Sequence, residues 1–127
     1  MTEEPQGNLT IRTVAMPADA NPSGDIFGGW VLSQMDIAGG VAAFDEAGGR
    51  VVTAAIESLS FLKPVEIGDV LCVYTELVDI GRTSMKIRVA AWALRQRVGI
   101  REQVTEAIFT FVALDEAGKP RPVRQDF

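Results

Sequence analysis

One segment, Gly28 to Ala47, reads as a long helix, and it carries a glycine pair, Gly39-Gly40, at its middle. Leu32, Met35, Gly39 and Ala42-Ala43 fall on one stripe at helical spacing. Two glycines inside a helix cost roughly 1 kcal/mol each relative to alanine. A helix bearing that cost needs something packed close against its bare backbone, such as a sheet curling around it. Gly48-Gly49 ends it.

The texture changes to period two on either side. Leu9 to Met16 alternates loosely and is expected to form a first strand. After Arg50, strands are expected over Val51–Leu62, Asp69–Ile80, Thr83–Leu94 and Glu102–Leu114. In the third of these, Met85, Ile87, Val89, Ala91 and Ala93 share one face, with Lys86 and Arg88 on the other. The order is strand, long helix, then four strands on short turns. It predicts an α+β fold, an antiparallel sheet wrapped around one central helix. The length suits a single domain over residues 1–127, with residues 1–7 frayed and 120–127 a C-terminal tail.

Composition narrows the chemistry. The chain has 127 residues, 12 Lys+Arg against 17 Asp+Glu, one cysteine and no histidine. A Ser-His-Asp triad, a Cys-His dyad and a His-ligated metal site are therefore excluded. Acid–base work falls to carboxylates, amides, Lys, Tyr or water. An acidic balance argues against a general binder of nucleic-acid backbone. No apolar run approaches a membrane span, and the N-terminus does not read as a signal peptide, so a soluble cytoplasmic protein is expected. Cys72 alone forms no intramolecular disulfide, which fits a reducing compartment.

Chemistry concentrates in Asn21 to Asp36, NPSGDIFGGWVLSQMD. Gly28-Gly29 opens the helix, so bare N–H groups there can face a developing oxyanion; a plain loop-to-helix hinge is the rival reading. Asp36 sits between Met35 and Ile37, a half-hidden carboxylate and candidate general base. A solvent-facing aspartate is the commoner fate. Glu57 and Glu106 are rival carboxylates, though strand alternation places them on a polar face. Asn21 can orient water or polarise a carbonyl, or only shape its turn.

Asp19-Ala20-Asn21, then Gly24-Asp25-Ile26-Phe27-Gly28-Gly29-Trp30, then Gln34-Met35-Asp36, resemble the signature of hotdog-fold acyl-CoA thioesterases. The nearest subgroup is the bacterial broad-specificity acyl-CoA hydrolases, relatives of the brain-type cytosolic enzyme. The likeness continues through Val51-Val52-Thr53, Phe61-Leu62-Lys63-Pro64, Gly68-Asp69-Val70, Gly81-Arg82-Thr83-Ser84 and Thr105-Glu106-Ala107, covering roughly residues 9 to 121. It implies hydrolysis of fatty acyl-CoA to fatty acid and CoA, with no metal or cofactor. Asp36 would be general base or, as a second option, nucleophile. Asn21 would position water or carbonyl, and Gly29, with Gly28, would polarise the carbonyl.

Gly29 and Asp36 lie roughly 10 Å apart along one helix. Both must meet one thioester, which predicts a site shared between two-fold-related subunits. The resemblance also implies a homo-oligomer, a dimer assembling into a trimer of dimers. For the CoA arm, Arg82, Thr83 and Ser84 are first candidates. Lys63, Lys86 and Arg88 rank next, and Arg95, Arg97 and Arg101 form a further basic cluster. For the acyl chain the candidates are Phe27, Trp30, Leu59 and Phe61. Hotdog dehydratases depend on a histidine this chain lacks. A non-catalytic acyl-CoA sensor remains the alternative.

Overall fold

The helix forms over its expected span, α1 (Gly28–Ala47), in a computed structural model that describes residues 4–95 and 98–124. Around it run β1 (Asn8–Val14), β2 (Val51–Phe61), β3 (Val70–Ile80), β4 (Ser84–Arg95) and β5 (Ile100–Ala113). Each expected strand forms, its ends shifted by at most two residues. The strands make one antiparallel sheet in the order β1-β3-β4-β5-β2, and α1 packs against all five. The sheet's middle belongs to the β3–β4–β5 meander, whose hairpin turns fix its register. β1 and β2 are left as edges.

The expected inward face of β4 is the observed one. Met85, Ile87, Val89, Ala91 and Ala93 are all buried, and Phe109 and Phe111 of β5 join them against the helix. The glycine pair divides in two. A Cβ on Gly39 would stand 2.9 Å from the Phe111 ring and 3.3 Å from Val89 Cγ2, so the sheet does press on bare backbone there. Gly40 has room, its nearest neighbour being Phe111 at 3.9 Å.

The buried stripe of α1 is Val31, Met35, Ala38, Gly39, Ala43 and Ala47. It is turned slightly from the expected one, because Leu32 and Ala42 pack only partly. The helix is apolar nearly all round, so periodicity alone could not fix its rotation. A second stripe, Ile37, Val41 and Phe44, is about half exposed. Gly48 ends the helix in the left-handed conformation (φ 67°), and Arg121 Nη2 donates to the Ala47 carbonyl at 3.0 Å.

Of the ends expected to be frayed or loose, residues 1–3 and 125–127 lie outside the described residues, as does Arg97 of the basic cluster. The described part of the C-terminal tail is tied down. Arg121 N–H donates to Ala113 O, Val123 N–H donates to Arg82 O, and the Val123 side chain is buried. Among the described residues, no helix is long and apolar enough to cross a membrane.

Candidate active site

The N-terminus of α1 is bare. Phe27 caps it in extended conformation without a side-chain hydrogen bond, giving its N–H to Asp19 O and accepting from Trp30 N–H at 3.1 Å. The N–H groups of Gly28 and Gly29 have no partner among the described residues. A Cβ on Gly29 would meet nothing within 4 Å, so a ligand atom can approach. Two unpaired donors at the positive end of a 20-residue helix suit an anionic or polarised oxygen.

Asn21 lies in the loop feeding this terminus. Its Oδ1 accepts from Ser23 N–H at 2.9 Å and Asp25 N–H at 3.1 Å. Its backbone N–H donates to Asp25 O at 2.7 Å, closing a tight turn in which Gly24 takes φ +89°. The turn-shaping reading of Asn21 is thus realised through its oxygen. Its Nδ2 has no partner among the described residues and remains able to donate.

Asp36 stands two turns further along α1, half-buried. Thr53 Oγ1 of β2 donates to Asp36 Oδ1 at 2.6 Å. Thr53 pairs with Phe111 in the ladder, so its side chain shares the helix-facing side of the sheet. Thr53 belongs to the Val51-Val52-Thr53 stretch that carries part of the family likeness, but sequence reading gave it no role.

The rival carboxylates are committed elsewhere. Glu57 is exposed and pairs with Lys86 at 3.9 Å, while Glu106 lies 3.9 Å from Arg88 Nε and accepts from Gln103 at 3.2 Å. Both belong to the outer face of the sheet, where Arg88 also pairs with Glu76 at 2.6 Å. Lys86 and Arg88 are therefore engaged as well.

Gly28, Phe61 and Lys63 do come together. They border a cleft of about 300 Å³ beside the start of α1, with the Phe61 ring 3.4 Å from where a Gly28 Cβ would be. Lys63 sits on its rim, 3.9 Å from Glu102. Leu59 is partly buried in the core, Trp30 packs beside it, and Phe27 is half exposed; none of the three lines this cleft.

Arg82, Thr83 and Ser84 stand apart from that cleft within one chain. They form the β3–β4 turn, with Ser84 opposite Val112 and Thr83 O accepting from Ala113 N–H, at the end of the sheet where α1 finishes. The helix puts roughly 30 Å between the two ends. Arg95 is a structural residue. It pairs with buried Asp69, donates to Pro64 O at 2.8 Å, and lies 3.7 Å from Glu102. Asp69 Oδ2 also accepts from Glu66 N–H at 2.8 Å, so this pair anchors the β2–β3 connection.

Comparison with known proteins bears on the family and the fold. The family model described as "Thioesterase superfamily" matches residues 23–100. The acyl-CoA thioester hydrolase YciA of Salmonella typhimurium is 50% identical over 126 residues, which is 97% of this chain and 95% of that protein. The hexameric thioesterase y2039 of Yersinia pestis superposes with a TM-score of 0.92 at 49% identity, covering 96% of this chain and 99% of that one. HI0827, described as a hexameric broad specificity acyl-coenzyme A thioesterase, superposes with a TM-score of 0.92 at 46% identity, covering 98% and 86%.

Proposed function

The chain belongs to the thioesterase superfamily, and from that premise we propose that it is an acyl-CoA thioester hydrolase with Asp36 as general base. On the helix that also offers two unpaired N–H groups, Asp36 is the carboxylate that takes a hydrogen bond from the sheet among the described residues. That observation carries the reading. The relatives' names support the reaction class, since YciA, y2039 and HI0827 are all described as thioester hydrolases or thioesterases.

The proposed chemistry follows. A water molecule attacks the thioester carbonyl carbon while Asp36 accepts its proton. The oxygen of the tetrahedral intermediate takes hydrogen bonds from the Gly29 and Gly28 N–H groups. Collapse breaks the C–S bond, and the proton held on Asp36 passes to the CoA sulfur. Asn21 Nδ2 is the donor available to orient water or carbonyl. Thr53 fixes one Asp36 oxygen, leaving the other to face the water. The chemistry uses no metal or cofactor beyond the CoA of its substrate.

One chain does not bring these groups to a single carbonyl, because Gly29 and Asp36 are seven residues, roughly 10 Å, apart on one helix. We therefore assign each site to two subunits of a homo-oligomer, Gly29 from one and Asp36 from its two-fold mate. The surface available for the mate is β2, an open edge, beside the half-exposed Ile37, Val41 and Phe44 of α1. An antiparallel pairing of two β2 edges would carry the mate's Arg82–Ser84 turn towards the cleft at Gly28. That arrangement supplies a cation for the phosphoadenosine end of CoA. The hexameric description of y2039 and HI0827 supports a trimer of such dimers. A cytoplasmic setting belongs to the same proposal, and Cys72, buried and free, suits it.

The test is release of free CoA thiol from a panel of acyl-CoAs. Asp36→Ala is expected to lose at least a hundredfold in kcat. Turnover that survives this substitution would remove Asp36 as base. Tight binding without turnover by the unaltered chain would favour the sensor.

A further inference from the structure

Residues 120–123 read Pro-Arg-Pro-Val, and the alternation decides how this segment can bond. Proline has no N–H and holds φ near about −65°, so the segment is stiff. Only Arg121 and Val123 can donate from its backbone, and both do. Arg121 N–H donates to Ala113 O and Val123 N–H to Arg82 O, each at 2.9 Å. The turn that brings the chain back after β5 is itself closed, with Asp115 N–H donating to Lys119 O at 2.8 Å.

The segment is anchored from two sides. The Arg121 guanidinium donates to Ala47 O at 3.0 Å, Leu114 O at 3.2 Å and Pro122 O at 2.9 Å, which ties it to the last turn of α1. The Val123 side chain is 2% exposed and belongs to the core. Between these anchors, Val123 reaches the β3–β4 turn. That turn closes on itself through Gly81 N–H and Ser84 O at 2.8 Å, and Thr83 O is tied to β5 by Ala113 N–H. Among the described residues, the Arg82 carbonyl has Val123 N–H as its partner. The peptide that carries an exposed guanidinium is thus held by a residue 41 positions on.

An exposed turn left to itself samples many conformations, and ordering it on binding costs affinity. A turn already held avoids that cost. Resting on the reading of Arg82 as a cation for the phosphates of CoA, we infer that residues 120–123 are a fixed strap. Val123 is its positioning residue and acts on substrate binding through Arg82.

The experiment uses two substitutions that break the strap differently. Val123→Pro keeps an apolar side chain of similar size and removes the N–H; Val123→Ala keeps the N–H and removes the buried branches. Calorimetric titration with CoA reads Kd. Each variant is expected to raise it about three- to tenfold, the range for one lost hydrogen bond. Turnover of an acyl thioester of N-acetylcysteamine, which lacks the phosphates, should stay within about twofold. In an Arg82→Gln background the same substitutions should change Kd by less than about twofold. Thermal unfolding checks that each variant folds, and Arg121→Gln, which frees the other anchor, serves if one does not. An unmoved Kd, an equal effect in both backgrounds, or an equal loss on the N-acetylcysteamine thioester overturns the strap as a positioning device. An Arg82→Gln chain that binds CoA as tightly as its parent would instead overturn the reading of Arg82. Amide exchange at Gly81 then still judges the hold on the turn: faster exchange in Val123→Pro supports it, and equal exchange overturns it.

Discussion

Thr53 Oγ1 donates to Asp36 Oδ1 at 2.6 Å, joining the central helix to an edge strand. A hydrogen bond to a charged group contributes about 1.5–3 kcal/mol. If the bond orients Asp36 for proton transfer, Thr53→Val should lower kcat by about tenfold or more and leave KM within about twofold. Thr53→Ser restores the hydroxyl and should recover most of the rate. Equal losses in both variants would indicate a packing role for the threonine.

The shared site is open to complementation. Gly29 is the second residue of α1, where proline is tolerated because that N–H has no partner within the helix. Gly29→Pro therefore removes a donor without breaking the helix. Chains carrying Gly29→Pro or Asp36→Ala alone should be inactive. Co-expressed at equal levels, they should regain about a quarter of full activity, since half the dimers are mixed and each mixed dimer has one intact site. Mixed oligomers no more active than their parents would confine the site to one chain.

Arg82 is exposed, with no carboxylate partner among the described residues. Arg82→Glu is expected to raise KM for acyl-CoA by about tenfold while changing kcat little. The same variant should treat an acyl thioester of N-acetylcysteamine, which lacks the phosphates, as the unaltered enzyme does. An equal effect on both substrates would show that Arg82 does not meet the phosphates.

The glycine pair makes opposite forecasts for neighbouring residues. Gly39→Ala forces a methyl to 2.9 Å from Phe111 in a close-packed core and should destabilise by about 1–3 kcal/mol. Gly40→Ala meets no such contact, and should stabilise by roughly 0.4–1 kcal/mol through lower unfolded-state entropy. Chemical denaturation of the two variants, read against the parent, checks both signs.

Arg95 and Asp69 form the most buried ion pair among the described residues, with side chains 12% and 7% exposed. Removing one partner of such a pair costs about 3–5 kcal/mol, because the other charge is left unpaired. Arg95→Met and Asp69→Asn should each lower the unfolding midpoint sharply. The double variant should lose less than the sum of the two. Additive losses would mean that the two residues stabilise the fold independently.

Much of this arrangement was legible beforehand. The helix ran over its expected residues because one glycine pair opened it and another closed it, with 3.6-residue periodicity between. The strand β4 was legible because Met85 to Val89 alternates apolar with charged residues, and its five expected inward residues are all buried. Long-range placement was not legible. Arg95 read as one cation in a surface cluster, since nothing near it in sequence announces Asp69, 26 residues away. Arg82 and Gly28 both read as site residues, but sequence spacing could not tell that they stand at opposite ends of one chain. The rotation of α1 was missed by a fraction of a turn because apolar residues surround it.

The sequence by itself determined the chemistry available. A chain without histidine, with a bare helix N-terminus and a carboxylate two turns on, has few ways to act on a carbonyl. It also determined the elements, because helical and strand periodicities are local properties that each segment carries alone. The tertiary structure decided which groups meet. Thr53 reaches Asp36, Phe111 presses on Gly39, and Phe61 roofs a cleft at Gly28, all through contacts between segments far apart in the chain. Such contacts depend on sheet register and helix rotation, which are fixed only when the whole core closes.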